Sequence, residues 1–415
     1  MNTESESMLA PYRVLDLTDE WGFLCGKLLA HLGADVIKIE KPGGDPARNI
    51  GPFYHDIPHP EESLYWFFYN ANKRGITLDI ETADGREIFK KLVKNADFLI
   101  ESFQPGYMDS IGLGYSALSQ INPRIIMTSI TPFGQTGPYS KIKPSDIVAM
   151  ALCGWMYQCG DPDRPPVRVG LPQAYLHGAA QAAGNTLVAH YYREMTGEGQ
   201  HYDAPALPWL AFLHQGHVWW AATKKYSRRH GQRWEWTGRP ISRYVWECKD
   251  GYIAYAVLGG AFGASQKALV EWMDSEGMAP QFMKEIKWTE LDFDKVTQEF
   301  RDSFEAPIVE FFKLHTREEI FREAVKRRIV LLPVYTPKDM LESPELAARG
   351  YWIGVEHPEL GTTITYPGAF FKSSETSWKM KRRAPLIGEH NKEIYVTELG
   401  FSKDELIVLK QNNII

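Results

Sequence analysis

Between Arg13 and Ile130, short apolar segments alternate with stretches of helical spacing, and this alternation most narrows the possible folds. Arg13-Val14-Leu15-Asp16-Leu17 reads as a short buried strand. Leu24, Leu28, Leu29 and Leu32 then fall at helical spacing, and Gly33 supplies the left-handed stop. Asp35-Val36-Ile37-Lys38-Ile39-Glu40 is the next strand, ended by Pro42-Gly43-Gly44. A second helix is expected near 84–95, with Ile88, Phe89, Leu92 and Val93 on one face. Residues 76–80, 98–101 and 124–130 complete the strand set. Strands separated by helices of this length imply parallel βαβ units and a sheet covered on both faces. Right-handed crossovers make that α/β sheet Rossmann-like.

A chain of 415 residues suits two domains better than one. Residues 177–193 read as a long helix rich in small residues, which let a neighbouring backbone come close. Past about residue 222 the texture changes to Lys224, Lys225, Arg228, Arg229, His230 and Arg233. Lys249-Asp250-Gly251-Tyr252 looks like a hairpin turn, and helical patterns follow at 262–275 and 305–327. The expected organisation is the first part of a large Rossmann-like domain over 1–224 and a small α+β domain over 225–330. Residues 331–415 return to the large domain and close with a helix near 403–410.

The charge balance weakens several function classes. Lys plus Arg number 46 and Asp plus Glu 52, a net of −6, where general nucleic-acid binding wants a basic face. No apolar run spans a bilayer, and the polar, acidic start from Met1 to Ser7 lacks the pattern of a secretory signal. Cys25, Cys153, Cys159 and Cys248 form no CxxC pair, so a reduced, cytoplasmic setting is expected. Among the 12 histidines, His55 and His59 flank helix-breaking prolines, and His214 and His217 lack an obvious third ligand. No metal site is expected. Trp219, Trp220, Trp234 and Trp236 suit either an aromatic pocket or an interface.

Four loops carry what chemistry the pattern offers. Glu40-Lys41-Pro42-Gly43-Gly44-Asp45-Pro46-Ala47-Arg48 follows a strand end; its glycines can turn amides toward an anion, and Lys41 and Arg48 add charge. Asn70-Ala71-Asn72-Lys73-Arg74-Gly75, Glu101-Ser102-Phe103-Gln104-Pro105-Gly106 and Phe133-Gly134-Gln135-Thr136-Gly137-Pro138 are the others. Ligands of open α/β sheets lie beyond the carboxyl ends of strands, so the set suggests a nucleotide-like ligand across those ends. Neither a dinucleotide fingerprint nor a P-loop is present.

In combination with Leu28-Leu29-Ala30-His31-Leu32-Gly33-Ala34-Asp35-Val36-Ile37-Lys38-Ile39-Glu40, Arg193-Glu194-Met195-Thr196-Gly197-Glu198-Gly199-Gln200 and Ala384-Pro385-Leu386-Ile387-Gly388-Glu389-His390-Asn391, these loops give the chain a recognisable face. It resembles the class III CoA-transferases, the family of formyl-CoA transferase, carnitine CoA-transferase and α-methylacyl-CoA racemase. The resemblance implies a large Rossmann-like domain built from both chain ends, a small domain between them, and two chains threaded into an interlocked dimer. It implies CoA or acyl-CoA as substrate. In the family, an aspartate attacks the donor thioester to give a mixed anhydride, which the released CoA thiolate converts to an aspartyl-CoA thioester; the acceptor acid reverses the sequence. Lys41, Lys73, Leu78, Phe103 and Lys143 stand where relatives contact CoA.

The chain departs from the family where the chemistry is centred. Counting back from Gly178 puts Ala174 in the aspartate's place; counting forward from Gly170 puts Tyr175 there. No Asp or Glu occurs between Asp163 and Glu194. Ser110, Ser102 and Trp21-Gly22-Phe23 also replace family residues. The expectation is a non-catalytic subunit pairing with a homologous chain that carries the aspartate. The alternatives are a racemase-like acyl-CoA enzyme, for which His177 is the nearest acid/base group, and a CoA-binding or structural partner without transferase activity.

Overall fold

The computed structural model describes residues 7–415 except 144, 215, 226, 237, 238, 293, 294, 377 and 379, and also leaves out the side chains of 227, 228 and 236. The acidic start from Met1 to Glu6 and the side chains of Arg228 and Trp236 therefore lie outside the described residues. The chain forms two compact units: Met1–Met150, Leu171–Leu213 and Pro344–Ile415 in the first, Ala151–Gly170 and His214–Ser343 in the second. The expected boundaries at 225 and 330 both fall inside the second unit, and 151–170 groups with it as well.

Six parallel strands build the first unit: β1 (Arg13–Leu17), β2 (Asp35–Glu40), β3 (Arg74–Thr77), β4 (Phe98–Glu101), β5 (Ile126–Thr131) and β6 (Gln200–Pro205). Their spatial order is β3-β2-β1-β4-β5-β6. Alternate residues of each strand face opposite sides. Leu15, Ile37, Leu99 and Met127 enter one apolar core, while Val14, Val36, Phe98 and Ile126 enter the other. Burial on both faces explains why the strands read as nearly unbroken apolar runs.

Helices α1 (Phe23–His31), α2 (Leu64–Asn70), α3 (Ala83–Val93) and α4 (Gln173–Thr196) pack around this sheet. α4 is longer at both ends than the 177–193 expected. Its alanines 179, 182, 183 and 189 are buried against the sheet, and Thr186 shares a 2.7 Å hydrogen bond with Thr128. Arg193 is fully buried and donates to the carbonyls of Asp97 and Arg124 at 2.9 and 3.1 Å.

The C-terminal segment returns to the edge strand β3. Tyr395 Oη donates to the Thr77 carbonyl at 2.6 Å, and Asn391 Oδ1 accepts from Thr77 N–H at 2.9 Å. Ile394, Tyr395, Ile414 and Ile415 join the apolar core of that face. An edge covered in this way offers no template for foreign strands.

In the second unit, Val245–Cys248, Gly251–Tyr255 and Leu331–Pro333 form an antiparallel sheet. Cys248 pairs with Gly251, so the hairpin loop is Lys249-Asp250. The helical pattern expected over 305–327 is two helices, Gln298–Leu314 and Arg317–Arg327. Thr316 separates them by capping the second, with Glu319 reaching back in a capping box. Trp234 packs between His230 and Tyr244 of its own unit, at 4.7 and 5.0 Å between ring centres. Among the described residues no helix is long and apolar enough to cross a membrane.

Candidate functional site

Three of the loops singled out above follow the carboxyl ends of β2, β4 and β5, the fourth, Asn70–Gly75, leads into β3, and two charge networks hold them. Lys73 is fully buried and donates to Asp16 Oδ2 at 2.7 Å, Asn70 Oδ1 at 2.9 Å and the Phe23 carbonyl at 3.2 Å. Burial alone would raise the Asp16 carboxyl, but Lys73 and Lys38 overcome it and hold it below its usual range. Gly26 on α1 makes room for this pair, since a Cβ there would lie 2.2 Å from Asp16 Oδ2. In the second network, Arg48 grips Glu40 through two bonds of 2.6 and 2.7 Å, and Glu61 through a third of 2.7 Å. Its guanidinium stacks 3.9 Å from the Trp66 ring.

Two of the expected ligand-contact residues fall inside these networks. Arg48 and Lys73 are 1% and 0% exposed, and internal carboxylates use both charges, so neither side chain is offered to a ligand. Leu78 is equally buried, in the core beneath the sheet. Lys41, Phe103 and Lys143 keep access to solvent. Lys41 pairs with Glu81 at 2.9 Å, Glu81 accepts from Tyr107 Oη at 2.8 Å, and Phe103 packs 4.6 Å from the Tyr107 ring. The structure thus draws Lys41 and Phe103 into one loop cluster. Gly43, Gly44 and Gly106 hold positive φ there, where a side chain is strained.

The two positions expected for the family's aspartate, 174 and 175, lie at the start of α4, where Tyr175 meets Trp21 of the turn after β1. Ala174 is fully buried, and its N–H donates to Asp146 Oδ1 at 2.8 Å. Tyr175 is half-buried, and its ring packs 4.4 Å from that of Trp21. Of the two candidate positions, only 175 presents a side chain beyond the core, so it is the one a reacting group would need. Trp21 is held in turn: its N–H donates to Asp19 Oδ1 at 3.0 Å, and Ser102 Oγ accepts from Asp19 N–H and donates to its carboxylate, both at 2.7 Å. Ser102 therefore ties the β1 and β4 loops together.

Carboxylates approach this slot from other elements, which a search along 163–194 misses. Tyr65 Oη donates to Glu20 Oε1 at 3.4 Å, and Tyr65 packs 4.7 Å from Tyr69. Burial raises the pKa of Glu20; burial, then the Glu20 carboxylate, raises that of the Tyr175 phenol. A phenol so placed stays protonated and is a poor nucleophile. The imidazole of His177, half-buried, is pushed down by burial.

A separate polar cavity of about 260 Å³ opens beneath the β4 and β5 ends, lined by Glu101, Ser129, Tyr115 and His201 among others. Ser129 Oγ and His201 Nε2 are 2.8 Å apart. Burial pushes the Glu101 carboxyl up to about 7, against the hydrogen bonds from Ser129 and the Phe103 N–H. The strand register makes this legible afterwards, because Glu101 pairs with Ser129 and Ser129 with Asp203 across three strands. Among the described residues no group of three or more His, Cys, Asp or Glu side chains is arranged to hold a metal ion.

With this geometry in view, the comparisons are specific. The model of CoA-transferase family III matches residues 9–391, and the chain belongs to that family. It is 36% identical to the succinyl-CoA:(R)-benzylsuccinate CoA-transferase subunit BbsE of Thauera aromatica, with 95% of each chain covered. It is 32% identical to the formyl-CoA:oxalate CoA-transferase of Streptomyces avermitilis, over 97% of this chain and 98% of that one. Among solved structures, a CAIB/BAIF family protein from Brucella suis superposes with a TM-score of 0.81 at 28% identity, covering 94% of this chain and 99% of that one. The α/β fold with its parallel sheet is that of the family.

Proposed function

We propose that this chain is the nucleophile-lacking subunit of a heteromeric CoA-transferase, whose homologous partner carries the aspartate. On this reading the two chains form the family's interlocked dimer in the cytoplasm and move CoA from succinyl-CoA to (R)-benzylsuccinate, a step of anaerobic toluene breakdown. The observation that carries the reading is the Trp21–Tyr175 contact: an aromatic pair stands at one of the two positions where the family's aspartate is expected. The similarity to subunit BbsE supports the choice of acids. Lys41, Phe103 and Lys143 are the accessible candidates for a CoA groove; Arg48, Lys73 and Leu78 serve the fold.

The test is thioester exchange between succinyl-CoA and benzylsuccinate, assayed with the lone chain, a candidate partner carrying the aspartate, and the two together. Turnover by the pair and none by the lone chain is expected. Turnover by the lone chain contradicts the subunit reading. Exchange by the pair with other acids, and not with benzylsuccinate, contradicts only the substrate.

A further inference from the structure

A groove of about 540 Å³ lies on the first unit, beside the amino end of the edge strand β3, where the Asn70–Gly75 loop enters it. Lys381, Arg382, Arg383 and His390 line it, with Glu356 and Glu389. Arg383 is committed to Glu359 and Glu389 at 2.7 and 2.8 Å. Lys381 and Arg382 have no carboxylate partner among the described residues.

His390 makes the groove unusual. Its Nδ1 accepts from the Gly75 N–H at 3.1 Å, and its own N–H donates to the Gly75 carbonyl at 2.9 Å. Its Nε2 faces Arg382 Nη1 at 3.2 Å. Burial, despite Glu389, lowers the pKa of this ring, so it is neutral at pH 7. A neutral imidazole has one acceptor nitrogen and one N–H, and a guanidinium only donates. The main-chain bond to Gly75 is fixed by β3, so the ring proton sits on Nε2. Two donors then stand side by side at 3.2 Å, and an anion oxygen beside the pair, within reach of both, would accept from each.

The backbone behind these groups is pinned. Asn72 Oδ1 accepts from Lys381 N–H at 2.7 Å, and Asn72 N–H donates to the Arg382 carbonyl at 3.0 Å. The Arg382 fork, the His390 Nε2–H and the Lys381 ammonium are three kinds of donor on a fixed scaffold. A tetrahedral oxyanion offers acceptors in several directions, whereas a carboxylate offers two in a plane. The volume leaves room for an attached organic group, to which Glu356 offers acceptors. We propose that this groove binds the phosphate group of a phosphorylated small molecule. The inference is independent of the subunit reading.

The experiment is calorimetric titration of the full chain with inorganic phosphate and with 5′-AMP, alongside NMR of ¹⁵N-labelled histidine. Saturable binding of 5′-AMP is expected, with the His390 Nε2 resonance moving on titration. Loss of the charged fork in Arg382→Gln should weaken binding by about tenfold, with a smaller loss in Lys381→Gln. No saturable binding, or equal binding by Arg382→Gln, overturns the proposal. Weakening by Lys41→Gln instead places the phosphate at the strand-end loops and also overturns it. Loss of binding in the assembled complex likewise overturns it.

Discussion

Single residues in this protein divide by where their charge is used. Arg48 has the composition of an anion ligand and the geometry of a core strut. Replacing it with Met leaves Glu40 buried and uncompensated, and urea unfolding should show a loss of about 3–5 kcal/mol. Lys41 is 57% exposed at its side chain, and Lys41→Met should leave stability unchanged within about 0.5 kcal/mol. Glu101 makes a prediction with a sign. Its carboxyl rises from 4.5 to about 7 in the fold, so the folded state holds a proton that the unfolded chain has released. Its contribution is fully present below pH 4.5 and is lost as the pH rises through 7. In Glu101→Gln that loss is absent. The variant should gain on the native protein by up to about 3 kcal/mol between pH 4.5 and 8, read from unfolding midpoints at each pH. A gap that does not vary with pH would mean that Glu101 is ionised throughout.

Among the elements, the strands were the most legible part of the fold. Largely apolar runs such as Val14 to Leu17 and Val36 to Ile39, each broken by one charged residue, announce a sheet buried on both faces, and the short helices between them announce parallel pairing. The break at His315 was not legible from apolar spacing, because both helices keep one buried face and only the cap separates them. Thr316→Ala removes that cap and should cost about 1 kcal/mol in thermal unfolding, with the helix content nearly unchanged. The expected helix of 177–193 left Ala174 and Tyr175 just outside it, whereas α4 begins at Gln173 and takes both into its first turn. Spacing could not show that Ala174 points into the core while Tyr175 meets Trp21, which comes from the far end of another strand. Nor could it show Arg48 and Lys73 turned inward, because their partners Glu40 and Asp16 look from the sequence like ordinary strand-end carboxylates. Gly26→Val should confirm that α1 depends on this hidden pair. Its side chain would displace Asp16 or Lys73, and expression of soluble protein should fall sharply.

At the scale of the whole molecule, both ends of the chain build the first unit, and the last residues close its sheet. Deleting 391–415 would uncover β3 and remove Ile394, Tyr395, Ile414 and Ile415 from the core. The truncated chain should aggregate rather than fold, as light scattering would report. Membership of CoA-transferase family III was legible because its motifs are spread over nearly the whole length. The assignment of 151–170 to the second unit was not, since nothing in its composition marks a boundary. The central claim is that a molecule with the family's whole frame lacks the family's acylated carboxylate. The direct measurement is to incubate the assembled enzyme with succinyl-CoA, trap with hydroxylamine and map every Asp and Glu by peptide mass spectrometry. Modification confined to the partner chain is the predicted result. A hydroxamate or CoA thioester on Glu20, Asp19 or any other carboxylate of this chain would contradict it.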